Sequence, residues 1–301
     1  MNDLINVNGI VDNNQQYIEK FLNYIDVSEN TVKEYAARLK RFFLYCKDNN
    51  INRVERNDII NFREFLKSNG KEANTINLYL ASVKSFFKWL EYEGVYKDIT
   101  RNIKSISVDC KHKREPLSLE QIKKVLSACQ TEKEKLIIKL SVTTGLRCNE
   151  LCNIRIQDFE VSDDIIKLYI LGKARQGMRT DYVVIDMNLY QEILNFINKN
   201  NISEYLFISE SNNNKGNKVS TRTIRNIVNK LFDTVGLKSN EYVFHSLRHS
   251  FCNINLKNNI NIVEVSKAMR HKSINTTMRY VKDIEAKENR CFATMSNLIS
   301  C

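Results

Sequence analysis

Residues 245–249 of the chain read HSLRH, and residues 269–280 read MRHKSINTTMRY. These two stretches contain three of the four histidines in the sequence, together with several arginines and a tyrosine. A divalent metal is disfavoured here, because arginines would repel it and no HExxH motif or carboxylate pair accompanies the histidines. A guanidinium instead suits a phosphate, since it can donate two parallel hydrogen bonds and stays charged. The cluster therefore predicts a phosphate site.

Two further stretches precede this cluster. Residues 143–151 read TTGLRCNEL, and residues 171–179 read LGKARQGMR between two apolar runs. The four stretches together resemble the signature of the tyrosine site-specific recombinases, or phage integrase family, in its Xer-like and mobile-element branch. The matching positions follow the family's order and are Arg147, Lys173, His245, Arg248, His271 and Tyr280. Arg270 departs from the pattern, because a glycine usually precedes this histidine, and the departure puts the presentation of His271 in question.

The resemblance implies a site-specific DNA recombinase. Such an enzyme cleaves and rejoins DNA through a covalent 3′-phosphotyrosine and a Holliday junction, without metal, ATP or cofactor. Tyr280 would be the nucleophile, and its phenol, with an ordinary pKa of about 10, needs a base or positive surroundings to ionise. Arg147 and Arg248 would stabilise the negative charge that develops on phosphate in the transition state. His245 would assist proton transfer at the tyrosine, and His271 would hydrogen bond the phosphate.

Three residues carry less certain roles. Lys173 would be the general acid that protonates the leaving 5′-oxygen, or else a turn lysine that contacts a phosphate. Glu150 would orient neighbouring catalytic groups, or else act as a structural partner of an arginine. His249 is interpreted as a core or supporting histidine rather than a catalytic one.

Candidate DNA contacts outside the catalytic set are polar or basic residues on a predicted N-terminal helix, the following basic segment, the hairpin turn and a later helix. They are Thr75, Asn77, Lys84, Lys111, Lys113, Arg114, Arg175, Arg179 and Arg222.

Helix should dominate the chain, because it contains one proline and eight glycines in 301 residues and long segments with apolar residues three and four apart. A weaker helix over 15–25 precedes three capped helices that begin near Asn30, Asn57 and Asn74. Residues 1–96 are therefore predicted to form a four-helix domain, which resembles the SAM-like core-binding domain of the family.

Residues 97–114 lose the helical period and are rich in lysine and arginine, which suits either a basic linker or an ordinary solvated loop. Residues 115–301 are predicted to form the catalytic domain. Apolar runs at 165–171 and 180–185 predict a β-hairpin with a basic turn. The further predicted helices span 118–129, 133–144, 188–199, 220–234, 246–258 and 260–270. The predicted fold is mainly α with a small sheet, in a two-domain, C-shaped DNA clamp.

Lysine and arginine outnumber aspartate and glutamate by 46 to 35, giving a net charge of +11 that favours an anionic partner. No apolar run is long enough for a membrane span, and the N-terminus lacks a signal pattern, so we expect a cytoplasmic protein. Its eight cysteines form no CxxC pair and should be reduced. Cys148 and Cys152 are interpreted as packing residues, and no metal is expected.

The expected partner is a double-stranded DNA recombination site, bound by a homotetramer on two duplexes. The tail at 285–301 has Phe292, Met295, Leu298 and Ile299 at helical spacing. Such an apolar stripe could pack on its own domain, but the resemblance favours exchange of the tail between protomers. A type IB topoisomerase and an inactive DNA-binding regulator of the same fold are the alternative functions.

Overall fold

The computed structural model describes residue 11 and residues 14–108, 114–162, 165–171 and 181–288. The chain divides into two compact units, Met1–Asp109 and Cys110–Cys301. Each unit contains its own cluster of buried apolar residues.

The first unit is helical throughout its regular structure. Its helices are α1 (Asn14–Tyr24), α2 (Glu29–Asp48), α3 (Arg56–Ser68) and α4 (Ala73–Tyr92). Their apolar faces meet in an aromatic core, in which Phe42 and Phe62 lie 5.1 Å apart between ring centroids. Edge-to-face packing of this kind adds to the stabilisation from buried apolar area. The predicted four helices are therefore present.

Three of these helices begin earlier than predicted. The sequence places their starts near Asn30, Asn57 and Asn74, whereas the N-cap residues are Ser28, Glu55 and Glu72. The Ser28 hydroxyl accepts a hydrogen bond from the backbone N–H of Thr31, and Glu55 forms a reciprocal capping box with Asp58. The asparagines therefore lie inside the first turns; at α2 and α3 the upstream caps already satisfy free N–H groups, whereas Glu72 makes no side-chain cap at α4.

The segment after α4 packs in part on the first unit. Ile103 is buried in its core, and the Lys84 ammonium donates to the Ile103 carbonyl. The Asn77 amide donates to the carbonyl of Ile106 at 2.9 Å and accepts from its N–H at 2.8 Å. Asn77 and Lys84, both predicted to contact DNA, thus have an intramolecular role in this structure.

The second unit combines helices with a small sheet. Its elements are α5 (Leu119–Ala128), α6 (Glu132–Thr144), α7 (Cys148–Cys152), β1 (Phe159–Ser162), β2 (Ile165–Ile170), β3 (Asp181–Ile185), α8 (Met187–Lys199), α9 (Thr221–Thr234), α10 (Phe244–Lys257), α11 (Ile262–Ala268) and α12 (Asn275–Glu288). The predicted fold class, mainly helical with a small sheet, is confirmed.

The sheet has the antiparallel order β1-β2-β3. Leu168 of β2 lies opposite Phe159 on one side and Val183 on the other. Ile166, Leu168 and Ile170 are buried, so one face of β2 packs on the core. The predicted hairpin is confirmed, whereas β1 was not predicted, because its four residues show no alternation and three are exposed.

Among the described residues, no helix is both long enough and apolar enough to span a membrane.

Gly145 connects the end of α6 to the turn before α7. Its φ of +61° lies in the left-handed region, where glycine avoids the steric strain of a side chain. A Cβ here would lie 2.9 Å from Phe251 Cδ1 and 3.1 Å from Met269 Sδ. Gly145 therefore allows the α6 terminus to approach α10 and the end of α11 closely.

Replacement of Gly145 by alanine should destabilise the protein by about 2–4 kcal/mol, from backbone strain together with steric overlap. Gly236→Ala is the matched control, because its φ is +77° but no atom lies within 4 Å of the added Cβ. That variant should lose about 1–2 kcal/mol from strain alone. Urea unfolding of both variants measures the difference, and equal losses would contradict the close approach at Gly145.

Candidate active site

Helix α10 presents His245, Arg248 and His249 from neighbouring turns, because residues three and four apart lie on one helix face. Arg248 is only 1% exposed. One terminal nitrogen of its guanidinium donates to the Gly145 carbonyl, and the other donates to the Met269 carbonyl. Arg248 thus connects the C-terminal ends of α6 and α11.

Burial of a cation without a paired anion disfavours its charge. Burial, followed by the positive charges of Arg147 and Arg270, lowers the pKa of Arg248 to about 10. Glu150 and Tyr280 act in the opposite direction. A pKa near this value still leaves the guanidinium protonated at neutral pH.

Arg147 is the N-cap residue of α7, and its side chain is 37% exposed. Its guanidinium donates to Glu150 Oε1 at 2.5 Å, and its backbone N–H donates to Glu150 Oε2 at 2.7 Å. The second terminal nitrogen lies 3.3 Å from the Arg270 carbonyl oxygen. The short helix α7 was not predicted, since five residues show no period, yet it fixes Arg147 relative to Glu150.

Glu150 is 9% exposed and bound by two arginines. Its Oε2 accepts a hydrogen bond from Arg270 at 2.8 Å as well as from the Arg147 backbone. Burial opposes ionisation of this carboxyl, but the charge of Arg270 and the interactions with Arg147 outweigh burial and lower its pKa. Glu150 is therefore an ionised carboxylate that aligns two guanidinium groups.

His271 lies between α11 and α12, with Nδ1 2.8 Å from the Thr277 hydroxyl. Burial, followed by the charges of Arg248, Arg147 and Arg270, lowers its pKa to about 4. The ring is therefore neutral at physiological pH. Where Thr277 donates to Nδ1, the ring carries its proton on Nε2, which leaves Nε2 as a hydrogen-bond donor.

Tyr280 lies on α12 and is 5% exposed. Its phenol oxygen lies 2.5 Å from His249 Nδ1, and its ring is nearly parallel to that of His271, with centroids 6.5 Å apart. Helix α12 was not predicted around the tyrosine, because its sequence NTTMRYVKDIEAKE is polar and has few apolar residues. Only a tail helix from 285 was predicted, and residues 289–301 lie outside the described part of the chain.

His249 contacts the phenol directly, although the sequence interpretation gave it a supporting role. His245 is exposed and lies edge-on to His249, with ring centroids 4.5 Å apart. The spacing of the HxxRH motif already places both histidines on one face of α10, and this signal could have identified His249 as a neighbour of the tyrosine.

Arg270 was noted from sequence only as a departure from a family pattern. Its φ of +53° is left-handed, a conformation that costs a non-glycine residue roughly 1–3 kcal/mol. Its side chain is 7% exposed and donates to the Ala268 carbonyl and to Glu150, each at 2.8 Å. A glycine adopts this left-handed φ without strain, which explains why glycine usually precedes the histidine in the family. Glycine would supply none of the contacts that the Arg270 side chain makes.

A cavity of about 450 Å³ opens beside these residues, lined in part by Arg147, Asn149, Arg225, Asn229 and His245. Two arginines at one wall suit an anionic group. Within the described ranges, no group of three His, Cys, Asp or Glu side chains has an arrangement that could bind a metal ion. Cys148 and Cys152 are buried free thiols in the core, as predicted from their spacing.

The remaining predicted site residues are dispersed or outside the described ranges. Arg222 is exposed at the start of α9, and Thr75 is partly exposed in the first turn of α4. Arg114 donates to the carbonyl of Ser239 at 3.1 Å. The residues outside the described ranges are Lys111, Lys113, Lys173, Arg175 and Arg179.

The lowered pKa of His271 predicts acid-sensitive stability. Because the folded pKa of about 4 lies below the ordinary value of 6.5, the unfolded chain gains a proton first as the pH falls. Stability should therefore fall between pH 6.5 and about 4, by up to about 3 kcal/mol. Urea unfolding across this window should show a smaller fall for His271→Gln. An NMR titration of the His271 ring with a midpoint near 6.5 would contradict the prediction.

The sequence of this chain is similar to those of known proteins. Residues 115–287 match the phage integrase family model, and residues 15–94 match the phage integrase N-terminal SAM-like domain model. Tyrosine recombinase XerA of Pyrococcus horikoshii is 28% identical over 273 residues, covering 89% of this chain and 90% of the relative.

Solved structures share the fold. A post-cleavage complex of XerH site-specific recombinase with a palindromic difH substrate has a TM-score of 0.75 at 18% identity, covering 97% of this chain and 99% of its own. A lambda integrase tetramer bound to a Holliday junction has a TM-score of 0.67 at 15% identity, covering 88% of this chain and 76% of its own. With its catalytic and N-terminal domain models both matched, the chain belongs to the phage integrase family and is a tyrosine recombinase.

Proposed function

We propose that this protein recombines DNA at specific sites by forming a covalent 3′-phosphotyrosine bond through Tyr280. The observation that carries the proposal is the convergence of three separate segments on one site. The α6–α7 turn supplies Arg147, α10 supplies Arg248, and the segment from α11 to α12 supplies His271 and Tyr280. A phosphate bound there would contact Arg147 and the nucleophile in the field of the buried Arg248 charge.

The two arginines would have different parts in phosphate binding. Arg147 retains a partly exposed guanidinium that a phosphate oxygen can reach, whereas Arg248 is fixed by two backbone carbonyls. During attack by the phenol, negative charge grows on the non-bridging oxygens, and cations already in place stabilise that charge without reorganisation. Neutral His271 would donate a further hydrogen bond from Nε2.

Attack by Tyr280 requires removal of its proton. His249 Nδ1 lies 2.5 Å from the phenol oxygen, within reach of that proton, and His245 lies beside it. The phenol oxygen bonds to phosphorus as the bond to the 5′-oxygen breaks, and Lys173 would protonate the departing oxygen. Arginines supply the positive charge, so the step calls for no metal.

Strand exchange follows from the energy of the phosphotyrosine bond. That bond resembles the broken phosphodiester, so a 5′-hydroxyl from a partner duplex reverses the reaction without ATP. Exchange of one strand pair gives a Holliday junction, the form of DNA on which lambda integrase is seen as a tetramer. Resolution then needs a second strand exchange at the same site.

Assembly as a homotetramer on two duplexes is part of the proposal, with the tail at 285–301 packed on a neighbouring protomer. The apolar stripe described above would fill a groove on that neighbour. Truncation after Lys287 should then leave monomer binding intact and abolish cooperative binding on a two-arm site in native gel shifts. Unchanged cooperativity would place the tail on its own domain.

Tyr280→Phe removes one oxygen and should abolish covalent DNA–protein adducts while DNA binding persists. Trapping on nicked suicide duplexes, followed by denaturing electrophoresis, measures the adduct, and fragments recovered from wild-type adducts identify the site. Tyr182→Phe, at an exposed tyrosine on β3, is the matched control and should retain wild-type adduct yield. An adduct in the Tyr280→Phe variant would refute the assignment. Products that rejoin only their original strands would favour a topoisomerase.

Lys173→Ala should cleave slowly on ordinary DNA and recover on a 5′-phosphorothiolate substrate. Sulfur departs without needing a proton, so the substrate bypasses a missing general acid. Single-turnover rates on the two substrates distinguish the roles. Equal impairment on both would favour a phosphate contact instead.

A further inference from the structure

Three guanidinium groups connect the two loops of the site. Arg248 binds the carbonyls of Gly145 and Met269, and Arg147 approaches the carbonyl of Arg270. Arg270 completes the set in the opposite direction, because its side chain reaches back to Glu150 in α7. The segment 145–150 and the segment 269–271 are therefore joined by side chains from both of them.

Arg270 and Arg147 share one carboxylate. Glu150 Oε1 accepts from the Arg147 side chain, whereas Oε2 accepts from Arg270 and from the Arg147 backbone. Removal of Arg270 would leave a buried oxygen with a single partner and would free the carboxylate to rotate. Rotation of Glu150 would move the guanidinium of Arg147, which is partly exposed.

The backbone conformation at Arg270 helps to distinguish a functional role of this side chain from a purely structural one. Glycine would adopt a φ of +53° without strain, so folding alone would be served at least as well by glycine. The arginine is nonetheless almost fully buried, and its Nε has no hydrogen-bond partner. A strained, buried cation at this position calls for a function that glycine cannot provide.

We propose that Arg270 is a positioning residue that, through Glu150, holds Arg147 in the orientation that receives the scissile phosphate. The inference rests on the proposed function, because it assigns Arg147 to that phosphate. Arg270 itself acts on the carboxylate and on the backbone before His271, and it touches no reacting atom.

Arg270→Gly tests the proposal, with Asn259→Gly as the matched control. Asn259 also has a left-handed φ, of +62°, but is exposed at the end of α10. Both variants lose the same kind of strain, and only the first loses the contact with Glu150. The substrate is the duplex recovered from wild-type adducts, and the readouts are duplex affinity, single-turnover adduct formation and thermal unfolding.

Arg270→Gly should retain duplex affinity within about twofold and form the adduct at least about tenfold more slowly, whereas Asn259→Gly should cleave at the wild-type rate. In the double variant with Glu150→Gln, the loss of cleavage rate should be smaller than the two single losses combined. Both changes break the same contact between Arg270 and Glu150. Arg270→Lys is a second variant that retains the charge and the wild-type strain but not the planar fork, and it too should cleave slowly.

A scissile methylphosphonate distinguishes positioning from general damage. This group lacks the negative charge that Arg147 is proposed to neutralise, so Arg147→Ala and Arg270→Gly should both lose less rate on it than on phosphate. Equal losses by Arg270→Gly on the two substrates, additivity with Glu150→Gln, or wild-type rates in both Arg270 variants would overturn the proposal. A wild-type protein that forms no adduct would instead refute the proposed function.

Discussion

The buried guanidinium of Arg248 is the interaction on which the arrangement of the site depends. It donates to the last turn of α6 through Gly145 and to the end of α11 through Met269. Each carbonyl lies at a helix terminus, where backbone oxygens lack partners within the helix and carry partial negative charge. One arginine thus satisfies two helix ends and connects the segments that lead into Arg147 and His271.

The two hydrogen bonds of Arg248 constrain the surrounding positions. Gly145 must accept a left-handed backbone and contact with Phe251 and Met269, so its carbonyl can reach Arg248. Arg270 occupies a second left-handed position at the other carbonyl. The two turns face each other across Arg248, and displacement of either would remove a hydrogen bond from a buried cation. An uncompensated buried charge is among the largest single sources of instability in a protein.

The sequence predicted the helices and strands that have a local apolar pattern, and it missed those that depend on tertiary contacts. The long amphipathic helices and the hairpin were identified, because apolar spacing reports burial directly. Helix α12 was missed, since its sequence is mostly polar and its few apolar residues show no clear helical period, although Thr277 and Tyr280 are buried. Motif order located Arg147, Arg248, His271 and Tyr280, but no sequence pattern states that Arg270 reaches Glu150, a contact between residues 120 positions apart.

The charge balance of the described site fits a transition state better than a ground state. Arg147, Arg248 and Arg270 bring three positive charges, Glu150 brings one negative charge, and the lowered pKa of His271 keeps that ring neutral. These four charged groups therefore carry a net charge of +2, and Arg225 also lines the cavity. Attack by the phenol on a DNA phosphodiester concentrates negative charge on the non-bridging oxygens as the pentacovalent transition state forms. Contacts that become stronger between the bound substrate and the transition state accelerate the reaction, whereas contacts that are equally strong in both do not. Arg270 contributes to this positive field while its side chain contacts Glu150, so its proposed part in the reaction remains the positioning of Arg147.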